Sequence, residues 1–196
     1  MIYTKPRFAS FEDYLTADAS ELPEGRCEYW DGELVEVMTE SIFNDGLANY
    51  LFLLLVQAGI FSDLIRPHSC EVEMIGRPKT RFPDLTILDD VHLTLMEKNN
   101  RVTRKMPPPR VLIEVVSPGS ETSDNYIRDY RDKPSQYAAI GVPEIWLIDP
   151  VREWVQVGTL TDSAYRLVTF MGDEAVVSLT FPALNLTAAQ VLRARR

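Results

Sequence analysis

Hydrophobic positions recur along this chain with two different periods, and the changes between them mark its elements. From Ser41 to Ala58, Leu47, Tyr50, Leu51, Leu54 and Leu55 return at helical spacing, which predicts an amphipathic helix with the leucines in the core and Gly59 at its end. The earlier stretch SFEDYLTAD predicts a short helix, with Ser10 as N-cap and Glu12 and Asp13 in the first turn, where acids suit the helix dipole. Between the two, CEYWDGELVEVM alternates around Asp31-Gly32 and reads as a hairpin.

Strands are predicted at Ser69 to Met74, Leu85 to Leu88 and Val111 to Ser117, with Pro107, Pro108 and Pro109 ending the polar loop before the last. Asp124 to Ile140 has helical character, and EIWLIDP is an apolar strand ending at Asp149-Pro150. The stretches WVQVGTL, AYRLVTF and AVVSLTF predict a hairpin-rich tail, closed by a short helix near Thr187 to Ala194. A strand, helix, strand unit with hairpins on both sides predicts an α/β class fold, a mixed central β-sheet flanked by helices with added hairpins. No repeat or linker divides the chain, so residues 1–196 are expected to form a single domain.

Composition narrows the function classes. No run resembles a secretory signal or a membrane span, and Cys27 and Cys70 form no CxxC pair, so a cytoplasmic protein with reduced thiols is expected. The net charge of −9 argues against avid, nonspecific nucleic-acid binding, which needs clustered cations to displace counterions. Basic residues gather at Arg77, Lys79 and Arg81, at Lys98, Arg101, Arg104 and Lys105, and at Arg128, Arg131 and Lys133. These clusters fit a basic rim on an acidic body and fit ordinary solvated loops equally well.

Three acids and a lysine stand out against the pattern. In RVLIEVVSPG, alternation sends Leu112, Glu114 and Val116 to one face of a strand, so Glu114 interrupts an otherwise apolar face. An ionised carboxylate there costs several kcal/mol unless a donor, cation or metal compensates it. Asp84 opens the preceding strand in RFPDLTIL, and if the two strands are neighbours both carboxylates converge, a natural site for a hard cation such as magnesium. Lys133 lies on the helical stripe of Tyr126, Tyr130 and Tyr137, from which it can reach the acids or pair at the surface with Asp129. Glu28, within CEYW, is either a solvent-facing strand residue or a third functional acid.

Other chemistries are poorly supported. GxSxG, GxxxxGK[ST] and GxGxxG are absent, and His68 and His92 lack zinc-site spacing and read as surface or satisfied polar residues. A glycosidase uses two carboxylates, but that reading leaves the lysine idle.

The order of these residues resembles a known family. Pro83-Asp84, then E-x-V at Glu114 to Val116, then D-x-x-x-K-x-x-x-Y at Asp129, Lys133 and Tyr137, then GVPEIWLIDP from Gly141 to Pro150, is similar to the Uma-two family of endonucleases. That family lies within the PD-(D/E)XK restriction-endonuclease-like superfamily. EYWDGELVEV and the helix near Ser41 extend the resemblance over nearly the whole chain. It implies a restriction-endonuclease-like core and a Mg²⁺- or Mn²⁺-dependent endonuclease acting on nucleic acid, DNA above RNA.

The resemblance also implies roles for single residues. Asp84 and Glu114 would bind metal, with Glu28 adding to the site, and Asn44 stands where a polar residue is common. The superfamily's lysine, two residues after the second acid, is absent because that position is Val116; Lys133 is the implied replacement. Pro134 departs from the polar residue expected after it. Such folds often pair, and hydrophobic tail strands fit a homodimer. A catalytically inactive nuclease-like module that binds nucleic acid or protein remains a second reading, and a purely structural partner protein a third.

Overall fold

The two hydrophobic periods correspond to helices and strands over most of their predicted places in the computed structural model, which describes residues 7–37, 41–96 and 100–193. In chain order the first half comprises α1 (Phe11–Thr16), β1 (Cys27–Trp30), β2 (Glu33–Glu36), α2 (Ile42–Gln57), β3 (Ile65–Pro67), β4 (Glu71–Glu73), β5 (Thr80–Arg81), β6 (Leu85–Ile87) and α3 (Asp90–Leu95). The second half comprises β7 (Arg101–Val102), β8 (Val111–Val115), α4 (Asp124–Ile127), α5 (Lys133–Ala139), β9 (Glu144–Asp149), β10 (Trp154–Thr161), β11 (Ala164–Met171) and α6 (Ala188–Leu192).

Six strands form a mixed central sheet in the order β11-β10-β9-β8-β6-β3. β8 and β9 run parallel, joined by the helical segment between them, and the other neighbours are antiparallel. Alternation along β8 feeds two cores: Val111, Ile113 and Val115 pack with Leu47, Leu51 and Leu55 of α2 and with α6, while Leu112 and Val116 pack with Tyr137 of α5. Every residue of β8 is buried because helices or strands cover both faces, which explains its near-continuous apolar sequence. Among the described residues no helix is long and apolar enough to cross a membrane.

The N-terminal predictions hold in detail. Ser10 caps α1 by accepting from the Asp13 amide, and Ser41 caps α2 by accepting from the Asn44 amide. Asp31 and Gly32, both at positive φ, make the two-residue turn between β1 and β2. The predicted end of that hairpin at Met38, Lys98 of a basic cluster, and Ala194 of the last helix lie outside the described residues.

Three predictions are corrected. The strand placed at Ser69 to Met74 is only Glu71–Glu73, and it pairs in a separate three-stranded sheet, β5-β4-β7. The outer neighbour of β6 is a strand the pattern does not predict, Ile65–Pro67, whose Pro67 lacks an amide proton and is tolerated at a sheet edge. AVVSLTF forms no third tail strand beyond a bridge from Ala175 to Thr187. The segment bends instead around the buried carboxylate of Glu144, which accepts from the Ser178 hydroxyl and from the Leu179 and Thr180 amides.

The predicted helix from Asp124 to Ile140 is interrupted as well. Between α4 and α5 the chain makes a π-helical stretch, Arg128–Asp132, with Pro134 in the first turn of α5. Proline cannot donate to the preceding turn and its ring crowds the carbonyl four residues back, and a wider turn just before it relieves both demands.

Candidate active site

The register of the sheet brings the anomalous acids together. Leu85 pairs with Ile113 and Thr86 with Leu112, so one further step places Asp84 opposite Glu114 at the carboxyl end of β8. Both residues are almost fully buried, at 4% and 1% exposure. Asp84 Oδ2 accepts from the Val115 amide at 2.7 Å, which ties the carboxylate to the strand that carries Glu114. Asn44, at the start of α2, reaches the same place with Nδ2 3.5 Å from the Val115 carbonyl.

Glu114 is held from the helical side. Lys133 Nζ lies 2.6 Å from its Oε2, and the Tyr137 hydroxyl donates to its Oε1. Burial drives the Glu114 pKa up, Lys133 pulls it back and Asp84 pushes it up again, leaving it at about 7. Burial acts to lower the Lys133 pKa, but Glu114, Asp129 and Asp84 overcome it and hold the ammonium above the ordinary lysine value. Burial and the neighbouring Glu114 charge keep Tyr137 a phenol, hence a donor.

Lys133 satisfies both of its predicted roles at once, because it also lies 3.2 Å from Asp129 Oδ1. That pair is buried, unlike the surface pair first considered, with Asp129 1% exposed. Asp129 accepts from the Ser117 amide at 3.0 Å and from Arg128, linking the helix to the loop after β8. Burial acts to raise its pKa, and Lys133 and Arg128 outweigh it, leaving the group below the ordinary carboxylate range. Pro134 is buried beside Lys133 and does not turn it away from the acids.

Glu28 reaches the neighbourhood from strand β1. Both its oxygens accept from Arg81 Nη1, at 3.1 and 3.3 Å, and Glu28, Arg81, Asn44 and Lys133 line one open pocket. Arg81 is itself aligned by Gln136 of α5, whose Oε1 accepts from its Nε at 3.0 Å. Among the described residues no three His, Cys, Asp or Glu side chains are grouped with metal-ligand spacing. The close acid pair is therefore Asp84 and Glu114, with Glu28 neutralised at the pocket wall.

Several neighbours escaped sequence reasoning. His68 lies beside Asp84, whereas His92 is a satisfied buried residue that completes the cap of α3 and contacts the Pro107 carbonyl. Arg81 and Gln136 carried no motif. The basic clusters are largely consumed by internal pairs: Arg77 with Asp31, Arg81 with Glu28, Arg101 with Glu71, Lys105 with Glu12 and Arg128 with Asp129.

The donor set suits a hard divalent cation. Asp84 and Glu114 offer carboxylate oxygens in a desolvated place where Lys133, shared with Asp129, offsets only part of their charge, and magnesium takes few protein oxygens and keeps several waters.

Comparison with known proteins bears on the family and the fold. A family model described as "Uma2: Putative restriction endonuclease" matches residues 11–189. A crystal structure described as a putative nuclease belonging to DUF820, from Anabaena variabilis, aligns with a TM-score of 0.67 at 16% identity, covering 95% of this chain and 99% of that one. At that identity the likeness is one of fold. No curated protein matches the chain.

Proposed function

The chain belongs to the Uma2 family of restriction-endonuclease-like proteins, and on that premise we propose that it is a metal-dependent endonuclease that hydrolyses phosphodiester bonds of DNA. The observation that carries the reading is the buried pair Asp84 and Glu114, facing each other across two strands with Lys133 2.6 Å from one of them. A purely structural acid pair would be an expensive choice in an apolar sheet.

Asp84 and Glu114 would hold Mg²⁺ or Mn²⁺. The cation supplies Lewis acidity and lowers the pKa of a bound water. Lys133 opposes the burial that favours the protonated form of Glu114, and it offers ammonium protons that orient a water or balance charge developing on the phosphoryl oxygens. Tyr137 fixes the second oxygen of Glu114, and Asp129 fixes Lys133, so both groups are pre-aimed. Glu28 and Arg81 form a paired wall beside them and leave the pocket close to neutral.

Two reduced, buried cysteines support a cytoplasmic setting. A homodimer is supported by β11, an eight-residue edge strand with Leu167, Val168 and Met171 exposed, since such an edge can pair with a second copy.

Nicking of supercoiled plasmid DNA tests the activity, in Mg²⁺, in Mn²⁺ and after chelation. Cleavage that requires the cation and disappears in Asp84→Asn and Glu114→Gln supports the nuclease. The net charge of −9 and the valine at position 116 favour a second reading, an inactive nuclease-like module that binds nucleic acid or protein. DNA retained without cleavage under every metal condition would decide for it.

A further inference from the structure

His68 is placed against Asp84 by the same sheet register that pairs the acids. Ile65 pairs with Ile87 and Pro67 with Leu85, so the next step sets His68 opposite Asp84, and its amide donates to the Asp84 carbonyl at 2.9 Å. His68, Asp84 and Glu114 thus form a row across three strands, which Lys133 completes from α5. The row alternates as one basic group, two acids and a second basic group.

The imidazole is bracketed by carboxylates. Nδ1 lies 3.3 Å from Asp84 Oδ1 and Nε2 lies 3.3 Å from Asp45 Oδ1, while the side chain is 15% exposed. Both ring nitrogens are shielded from solvent and neither has a partner in hydrogen-bond geometry, so the two carboxylates flanking the ring are its close polar contacts. Asp45 belongs to the first turn of α2 and is held by Asn49 Nδ2 at 3.1 Å. Asp84 is thus contacted on both oxygens: Oδ2 accepts from the Val115 amide, and the imidazole packs 3.3 Å from Oδ1.

The backbone supports a positional demand. His68 has φ of 50°, in the left-handed region that non-glycine residues rarely enter. Pro67 before it fixes the approach of the strand, and the left-handed turn then leads the chain from the central sheet toward the three-stranded one.

We infer that His68 is a positioning residue that holds Asp84 in the orientation the acid pair requires, with Asp45 aligning the ring. The inference rests on the reading of Asp84 and Glu114 as the metal-binding acids. His68 touches no reacting atom; it acts through Asp84, as residues behind metal ligands commonly do.

Two readouts on the full chain test it: residue-resolved amide hydrogen exchange without metal, and calorimetric titration with Mn²⁺. In His68→Ala the Val115 amide is expected to exchange about tenfold faster while Ile113 is unchanged, and Mn²⁺ affinity is expected to fall roughly ten- to hundredfold. His68→Asn keeps a nitrogen donor at the place of Nδ1 and accepts the left-handed backbone readily, so it should restore most of both. Unchanged Val115 exchange in a folded His68→Ala protein overturns the inference. So does an equal acceleration of Val115 and Ile113 in both variants, which would mark a general loss of stability. A wild type that binds no Mn²⁺ overturns the metal reading instead, and the metal-free exchange result separates the two failures.

Discussion

Lys133 Nζ lies 2.6 Å from Glu114 Oε2 across the packing interface of a helix and a buried strand, and each is the other's nearest counter-charge, with Asp129 a second partner of the lysine and Tyr137 of the glutamate. The lysine is 15% exposed at its side chain and the glutamate 2%. Removing the lysine leaves the buried glutamate without its ion-pair partner, whereas removing the glutamate leaves the lysine paired with Asp129. Lys133→Met is expected to lower stability by about 3–5 kcal/mol in urea denaturation, the range for one broken partner of a buried pair. Combining it with Glu114→Gln should recover part of that loss, whereas nicking activity should be lost in all three variants. A double variant no more stable than Lys133→Met alone would show that the pair contributes little as a pair.

Tyr137 offers a milder perturbation of the same acid. Tyr137→Phe removes the hydroxyl that donates to Glu114 Oε1 and leaves the ring in the core it shares with Leu112 and Val116. The cost should be about 1–3 kcal/mol, that of a buried acceptor losing its donor. Activity should fall less than in Lys133→Met, because the ammonium still pairs the other oxygen. Denaturation and nicking rates measured on one preparation check both statements.

Much of this arrangement was legible in the sequence, for reasons specific to each residue. Glu114 announced itself because alternation gave its side chain a face that should be apolar, and Asp84 because a proline fixed the start of its strand. Lys133 fell on the aromatic stripe of its helix. His68 gave no signal, since its link to Asp84 depends on β3, and β3 is a three-residue edge strand with a proline that has no periodicity to read. Arg81 and Gln136 meet from distant elements, β5 and α5, through a contact that no local pattern encodes. The third tail strand was misread because AVVSLTF alternates well, yet the unpaired Glu144 carboxylate needed its amides more than β11 did.

Asp129 gives a pH dependence with a definite sign. Its folded pKa lies below the ordinary value of 3.8, with burial opposing the shift and Lys133 and Arg128 outweighing it. The unfolded chain then binds its proton more readily than the native state. The stabilisation is fully present above the unfolded value and is lost as pH falls through the folded one. Asp129→Asn should therefore be less stable than wild type at pH 7, by about 1–3 kcal/mol. The gap should narrow below pH ~4. Denaturant titrations of both proteins from pH 7 to pH 3 measure it, and a constant gap would remove the charge from the account.

Glu144 distinguishes a structural acid from those of the candidate site. It is 1% exposed, yet its oxygens accept from the Trp146 indole, the Ser178 hydroxyl, the Leu179 and Thr180 amides and the Thr180 hydroxyl. Every partner is a neutral donor, so the carboxylate serves as an acceptor hub that ties residues 178–180 to the start of β9. Glu144→Gln turns one oxygen into an amide nitrogen, and either orientation sets donor against donor: the indole and Ser178 on one side, the two amides on the other. Stability should fall by about 1.5–3 kcal/mol, the worth of a charge-assisted hydrogen bond. Mn²⁺ binding per folded molecule should stay at the wild-type level, because the donors that hold Glu144 are different from the partners of Asp84 and Glu114. Calorimetry on the folded variant, beside Glu114→Gln, makes the comparison direct: one buried glutamate lost without consequence for the metal, the other lost with it. Equal loss of Mn²⁺ binding in both would mean that the two ends of the parallel strand pair are coupled through β8 and β9, and the separation of structural from functional acids drawn from their donors would fail.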